Sequence, residues 1–347
     1  MNLRNLMKNR AVEKEKRGWG EDSHGTAVKR ILWLDAARGI GMVLVVLGHA
    51  ISDTAMDNPL FSRLFYFLYS FHMPLFFFIS GYCGSKAIKC DTISDKCEYI
   101  QLRFSRLMIP YFFIGVCYIP LKAVLAKFSS TPVQLNDVLF EMLKGNNPNY
   151  QLWTLYVLFF IALIVCVLAN QKNNEILMMT ILGILQILSV KSSSGIVKNI
   201  LFELPFFYAG ILCKKHNWLA GKRNKGVGMT AFALLVIINC LVVVSGEHYL
   251  KIATGYCGIV ASCFVAMQIT KTVRNPFVTI GKYGMDIYIL ANAVQVAVRI
   301  VFLKALGING IVCCVLSTVL GVLVPIIISN CFIRKFAWTR KMVLGMD

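Results

Sequence analysis

The stretch ILWLDAARGIGMVLVVLGHAI, residues 31–51, decides the fold class of this chain. Its 21 positions are apolar apart from the ionisable side chains of Asp35, Arg38 and His49. A helix of this length rises about 30 Å, which is the thickness of the hydrocarbon core of a bilayer. Nine further apolar segments lie at 63–84, 107–125, 151–169, 175–190, 197–213, 227–245, 250–269, 277–302 and 310–330. The pattern predicts an all-α, polytopic integral membrane bundle of about ten transmembrane helices.

The composition excludes several other classes of protein. Of the 347 residues, 57% are hydrophobic and 15% are charged, and the mean hydropathy is +0.65. A soluble domain carries about 25% charged residues, so a soluble enzyme, a disordered chain and a disulfide scaffold are all excluded. Most of the twelve cysteines lie inside apolar segments, where a free thiol behaves as a small hydrophobe. Because the spacing of Cys90 and Cys97 is not that of a zinc site, we expect no metal and no required disulfide.

The basic charge of the chain follows its loops. Lys and Arg number 36 against 17 Asp and Glu, and with the N-terminus inside, 25 of them fall in cytoplasmic segments and 6 in outer ones. The positive-inside rule therefore places both termini in the cytoplasm. Membrane orientation explains the basic excess, so we expect no nucleic-acid partner.

This reading divides the chain into three regions. Residues 1–30 are predicted to be a polar, disordered cytoplasmic tail, 31–333 a transmembrane domain, and 334–347 a short basic cytoplasmic tail. We identify no soluble catalytic domain at either end, so we expect any chemistry to take place inside the bundle.

The first segment carries its ionisable groups in a pattern. Arg38 and His49 are eleven positions apart, so their side chains lie within about 20° of the same helix face and roughly 16 Å apart along the helix axis. Asp35 and Arg38 are three residues apart and can pair. Ionisable groups inside a span usually mark function, and histidine is the side chain best suited to act as a general base near neutral pH. The alternative interpretation is structural: Asp35 and Arg38 form an ion pair, and His49 bonds to a neighbouring helix.

The second segment contains Ser-Phe-His-Met-Pro-Leu-Phe-Phe-Phe-Ile-Ser-Gly-Tyr at residues 70–82. It places His72 near the middle of the membrane among aromatic side chains, which usually belong to a packed core. Ser80 and Gly81 either serve the site or permit a close approach between helices.

Two further arginines, Arg103 and Arg106, lead into the third segment on the side of Arg38. Such a pair commonly anchors the cytoplasmic end of a span. Three arginines at one depth would also suit a phosphorylated ligand, since guanidinium groups match phosphate oxygens. Three further charged residues are expected to be buried within their apolar segments: Glu203, Asp286 and Arg299.

Taken together, these motifs resemble the acyltransferase family 3 membrane enzymes. The pieces are Arg38-x10-His49, FHMPLFFFISG at 71–81 and Arg103-x-x-Arg106-x-x-x-Pro110. The sequence is most similar to the fucose 4-O-acetylase-related branch, which lacks an attached serine-hydrolase domain. LWTLY at 152–156 and ELPFF at 203–207 fit that branch, and the resemblance covers about 31–330.

The resemblance implies a membrane O-acyltransferase. Its members move acyl groups, usually acetyl from acetyl-CoA, onto hydroxyls of cell-surface glycans or related acceptors. It implies an acyl-CoA donor, a glycan or lipid-linked sugar acceptor, surrounding membrane lipid, no permanently bound cofactor, and a place in the cell membrane. By match of motif, His49 and His72 are catalytic candidates, while Arg38, Arg103 and Arg106 would bind acyl-CoA. Supporting positions are Asp35, Ser80 and Glu203.

One position departs from the family pattern. The late span of the family often ends an Ile-Tyr-x-Leu run with histidine, whereas Ala291 follows Ile287-Tyr288-Ile289-Leu290 here. The acceptor, the acyl group and the choice between a covalent acyl-histidine and direct transfer remain open. A multi-span transporter, or a carrier that supplies acyl groups to a separate transferase, is the alternative function.

Overall fold

The computed structural model describes residues 19–21, 27–29, 31–90, 92–124, 138–168, 174–190, 195–219, 225–245, 250–270 and 275–346. Its α-helices are α1 (Leu32–Thr54), α2 (Pro59–Tyr69), α3 (His72–Cys83), α4 (Ile93–Val124), α5 (Val138–Leu143), α6 (Trp153–Leu168), α7 (Glu175–Val190), α8 (Gly195–Lys215), α9 (Lys225–Ser245), α10 (Leu250–Ile269), α11 (Pro276–Lys282), α12 (Gly284–Val298), α13 (Gly310–Ile328) and α14 (Ala337–Leu344). Short 3-10 turns lie at Ser85–Lys89 and Tyr150–Leu152, and π-helical turns follow α12 at Arg299–Ala305 and α13 at Ser329–Ile333.

The architecture is the all-α membrane bundle that the sequence predicts. Eight helical segments in the described part of the chain are long and apolar enough to cross a membrane. Two shorter apolar stretches, Glu175–Val190 and Gly226–Leu241, lie at the fifth and seventh predicted segments. The fifth and sixth predicted segments are the shortest in the sequence, with 16 and 17 residues. The fifth forms the 16-residue helix α7, whereas the sixth and seventh form α8 and α9, each of 21 residues.

Helix α1 lies at the centre of the bundle and packs against α2, α3, α10, α11 and α13. It is buried on most of its circumference, which is why its sequence is apolar almost all round. The ionisable residues along its buried length, Asp35, Arg38 and His49, therefore require a partner or a function.

Two helix pairs cross at glycines. A Cβ on Gly39 would lie 1.9 Å from the carbonyl oxygen of Phe277 in α11, and one on Gly81 would lie 1.8 Å from that of Phe207 in α8. On the other side of the second crossing, Gly210 meets the backbone of Phe78 in the same way. The expectation that Gly81 permits close helix approach is confirmed.

The second predicted span is broken between α2 and α3. Pro74 has no N–H to bond the carbonyl of Ser70, and the hydroxyl of Thr254 in α10 lies 3.4 Å from that oxygen. At the same break, the ring Nδ1 of His72 lies 2.8 Å from the carbonyl oxygen of Leu68. Proline therefore produces the irregular backbone that orients His72.

The two predicted tails are only partly described. Most of residues 1–30 lies outside the described residues, and the described part is a short antiparallel pair of strands, Trp19–Glu21 and Ala27–Lys29. In the C-terminal segment, α14 packs on α4. It ends at Gly345, whose positive φ of 61° brings the chain against the backbone of Arg106. The disorder predicted for residues 1–30 stays a prediction.

Asp286 is part of a structural ion pair with Arg334. Its carboxylate accepts a hydrogen bond of 2.7 Å from Arg334, and its other oxygen accepts from Ser329. The Arg334 guanidinium also stacks 4.3 Å from the ring centroid of Tyr283 and donates to the carbonyl of Lys282. The pair ties the last π-helical turn to the start of α12.

Candidate active site

The three arginines chosen from the sequence converge around the end of α3. Arg38 of α1 donates to Cys83 Sγ at 2.8 Å, and a Cβ on Gly84 would lie 2.5 Å from a terminal nitrogen of Arg103 of α4. Arg106 interacts electrostatically with both Arg38 and Arg103. The sequence predicted that the three arginines lie at one depth in the membrane. The packing of α1, α3 and α4 brings them together.

This arginine cluster keeps a net positive charge. Asp35, one turn away on α1, accepts a hydrogen bond of 3.2 Å from Arg38. It is the acidic side chain that pairs with the cluster in the described part of the chain. Tyr99, one turn earlier on α4, positions Arg103. Its hydroxyl accepts a hydrogen bond of 3.0 Å from Arg103 Nε, and its ring centroid lies 5.1 Å from the guanidinium carbon. Three guanidinium groups beside one carboxylate make a site for an anion with several oxygens, such as a phosphate.

His49 lies about three turns along α1 from Arg38 and contacts two tyrosines. The hydroxyl oxygens of Tyr69 and Tyr150 both lie 3.3 Å from its Nδ1. No described residue forms a hydrogen bond with its Nε2. If Nδ1–H donates to a tyrosine oxygen, Nε2 is left as an unprotonated nitrogen able to accept a proton.

The two histidines meet through Tyr69. Its ring centroid lies 6.2 Å from that of His49 and 4.6 Å from that of His72, edge to face in both cases. His72 is 2% exposed, and its bond to Leu68 identifies Nδ1 as the protonated nitrogen. The two imidazoles are close enough to interact electrostatically. His49, Tyr69, Tyr150 and His72 form what we call the histidine centre.

Sequence reasoning missed a charged pair beside this centre. Asp53 lies one turn beyond His49 on α1 and pairs with Arg299 at 3.3 Å. Its carboxylate interacts with the hydroxyls of both Tyr69 and Tyr150. The available signal was the four-residue spacing from His49, which places both residues on one helix face.

Sequence reasoning also missed the segment that supplies Tyr150. Residues 146–150 lie between the third and fourth predicted segments, on the outer side, and 151–152 begin the fourth, yet the polar residues Asn147, Asn149 and Gln151 are buried. Asn147 donates to the carbonyl of Tyr111 at 2.9 Å, and Asn292 of α12 donates to Asn149 Oδ1 at 3.0 Å. These bonds fold the segment against α4 and α12 and carry Tyr150 to His49.

The remaining sequence candidates lie apart from the histidine centre. Ser80 is one turn before Gly84, so it sits towards the arginine cluster. Glu203 of α8 is 4% exposed, and its Oε2 has no hydrogen-bond partner in the described chain. It lies one turn before Phe207, and no described contact joins it to either group. Ala291 packs against Met42 and Val46 of α1, in the place where the family often has histidine.

Comparison with known proteins gives one family and two relatives. A family described as an acyltransferase domain matches residues 31–330. Nodulation protein NolL of Mesorhizobium japonicum is 25% identical over 365 residues, 95% of this chain and 94% of the relative. A protein of the same name from Sinorhizobium fredii is 38% identical over 90 residues, 25% of this chain and 24% of the relative. No solved structure matches the chain.

The family match runs from the first turn of α1 to the end of α13, and it contains both the arginine cluster and the histidine centre. The relative from Mesorhizobium japonicum aligns over nearly the same length. The chain therefore belongs to the acyltransferase family, as a multi-pass membrane member.

Proposed function

We propose that this protein is a membrane O-acetyltransferase. It transfers acetyl from cytoplasmic acetyl-CoA to a hydroxyl of a cell-surface or exported glycan or glycolipid, and it works in the cell membrane. The observation that carries the proposal is the arrangement on α1: Arg38 belongs to the arginine cluster, and His49, roughly 16 Å further along, belongs to a centre in which no described residue bonds its Nε2.

The arginine cluster suits the phosphates of CoA. CoA is a polyanion with its thioester at the end of a long flexible arm, so one end needs cations and the other needs a base. Arg38, Arg103 and Arg106 would hold the phosphates on the cytoplasmic side. The arm would then run along α1 and bring the thioester to His49.

The histidine centre suits proton transfer. His49 Nε2 takes the proton of the acceptor hydroxyl while the hydroxyl oxygen attacks the thioester carbonyl carbon. When the tetrahedral intermediate collapses, the carbon–sulfur bond breaks and the CoA thiolate takes the proton back from Nε2. This sequence of steps requires that Nδ1 carry the proton and donate it to the hydroxyl oxygen of Tyr69 or Tyr150, both of which lie within reach. In the covalent alternative, the same nitrogen attacks the thioester first.

A carrier is the second candidate, and the broken pair α2–α3 favours it, since interrupted helices are typical of transporters. Turnover of acetyl-CoA by purified protein with a soluble acceptor separates the two functions. An enzyme releases CoA in proportion to acetylated acceptor, whereas a carrier needs a second protein.

The test in cells compares wild type, His49→Ala and an empty vector at matched membrane levels. Mass spectrometry of surface glycans should find O-acetyl groups with wild type, and a loss of at least about a hundredfold with His49→Ala, since a general base contributes about 10²–10⁴ in rate.

The matched control is His216→Ala. His216 bonds Glu175 at 2.6 Å on the α7–α8 side of the bundle, away from the histidine centre, so its removal should leave acetylation unchanged. Equal acetylation from wild type and His49→Ala would remove His49 from catalysis. Absence of any acetyl difference between wild type and empty vector would contradict the acetyl donor.

A further inference from the structure

The segment 146–152 holds two buried donors that the described chain does not use. Asn149 is 1% exposed and Gln151 is 5% exposed. The side-chain nitrogens of both, Nδ2 and Nε2, have no hydrogen bond of acceptable geometry to a described residue. Folded proteins leave few buried polar groups unpaired, so two such donors within three residues indicate a ligand.

The orientation of the Asn149 amide is fixed by its oxygen. Asn149 Oδ1 accepts from the backbone N–H of Gln151 at 3.3 Å and from Asn292 at 3.0 Å. Tyr288 of α12 donates to the backbone carbonyl of Gln151 and pins the segment from the same side. With its oxygen engaged twice, Asn149 can offer a ligand only N–H groups.

These donors border the histidine centre. Tyr150 lies between the two residues, and its hydroxyl is 3.3 Å from His49 Nδ1. The side chain of Gln151 also approaches that hydroxyl, and because its NH2 carries two N–H groups, one of them remains for a ligand. The two amides therefore flank the tyrosine that contacts His49.

We propose that the side-chain N–H groups of Asn149 and Gln151 form an oxyanion site that binds the carbonyl oxygen of the acyl thioester. This inference rests on the proposed acyl-CoA chemistry. A carbonyl oxygen only accepts hydrogen bonds, which matches the donors that are free. A sugar hydroxyl also donates, and donor–acceptor pairs would suit it better.

The site would act when charge develops on that oxygen. As the acceptor hydroxyl oxygen bonds to the carbonyl carbon, its proton moves to His49 Nε2 and the C=O π pair moves onto the carbonyl oxygen. Asn149 and Gln151 stabilise the resulting anion. The pair then returns to re-form C=O, the carbon–sulfur bond breaks, and the thiolate takes the proton from His49. Donors placed in advance at such an oxygen are commonly worth 10²–10³ in kcat each.

Two CoA analogues test the site in the purified full-length protein. In the first, a methylene replaces the thioester sulfur, so the compound is a methyl ketone with its carbonyl in place. The second is the ethyl thioether of CoA, which has no carbonyl. Wild type should bind the ketone about tenfold more tightly than the thioether, as expected for hydrogen bonds to one oxygen.

The variants change the donors at nearly constant size. Asn149→Asp keeps the accepting Oδ1 and replaces the free NH2 by oxygen, and Gln151→Met removes the donor without adding charge. Each variant should bring the ratio of ketone affinity to thioether affinity down towards one and should lower kcat about 10²–10³-fold. The affinity for the thioether should stay within about twofold of that of wild type. Asn147→Asp is the control in the same segment, because its amide bonds Tyr111 and should affect stability but not the ratio.

A ratio unchanged in both variants would overturn the oxyanion site, and so would a wild type that binds the two analogues equally. Either result leaves CoA binding and the proposed function standing. A wild type that binds neither analogue would contradict the proposed function itself. A drop in the ratio with Asn147→Asp as large as with Asn149→Asp would show that the segment acts only through its fold.

Discussion

At the scale of single residues, the reactivity of His49 depends on what its Nδ1 contacts. Tyr69 comes from the adjacent helix, and Tyr150 comes from a segment 101 residues away in sequence. Neither tyrosine carries a recognisable motif, so the sequence could identify the histidine but not the groups that set its tautomer. The same holds for Arg299, whose pairing with Asp53 depends on the packing of α12 against α1.

We expect Tyr150→Phe to lower kcat about fivefold with little change in KM for acyl-CoA. The hydroxyl contributes one hydrogen bond to Nδ1, and a bond of this kind is worth about 1 kcal/mol. Steady-state rates of purified protein measure the effect. Tyr66→Phe is the control, because Tyr66 is 60% exposed in the neighbouring helix α2. A change confined to KM, or an equal loss in the control, would contradict a role for Tyr150 at His49.

At the scale of helices, two glycines set the distance between α3 and α8, and therefore the position of the arginine cluster. Gly81→Ala should destabilise the protein by about 1–3 kcal/mol or more, because its Cβ would meet the backbone of Phe207 at 1.8 Å and backbone cannot rotate away. Thermal unfolding in detergent measures this. Gly183→Ala in α7 is the control, since nothing lies within 4 Å of its Cβ, and it should not lower the melting temperature. Equal melting temperatures for the two variants would contradict the tight crossing.

The helices were largely predictable from sequence, whereas their partners were not. The spans could be located from the length of the apolar segments. A chain that crosses lipid must satisfy its backbone hydrogen bonds internally, so such a segment forms a helix. The pattern could not show that α2 and α3 break at residues 70–71 to orient His72, nor that polar residues of 146–152 fold inwards. Both depend on bonds between distant elements, such as Thr254 to Ser70 and Asn292 to Asn149.

At the scale of the whole molecule, the proposed reaction requires a fixed orientation. Acyl-CoA is cytoplasmic, so the arginine cluster must face the cytoplasm and the outer end of α1, beyond His49, must face the opposite side. The distribution of Lys and Arg favours this orientation, with both termini inside. Chemical labelling from one side of the membrane measures this orientation directly.

Two exposed positions at opposite ends of the bundle make that measurement possible. Ser52 follows His49 near the end of α1, and Cys97 lies in the polar first turns of α4, before Arg103. In single-cysteine variants carrying either Ser52→Cys or Cys97, an impermeant maleimide should label position 52 in intact cells and position 97 only after the cells are opened. The reverse pattern would place the arginine cluster outside, away from any CoA. It would thereby contradict acyl-CoA as the donor even if His49 proved essential, because the anion bound at the cluster would then have to come from outside the cell.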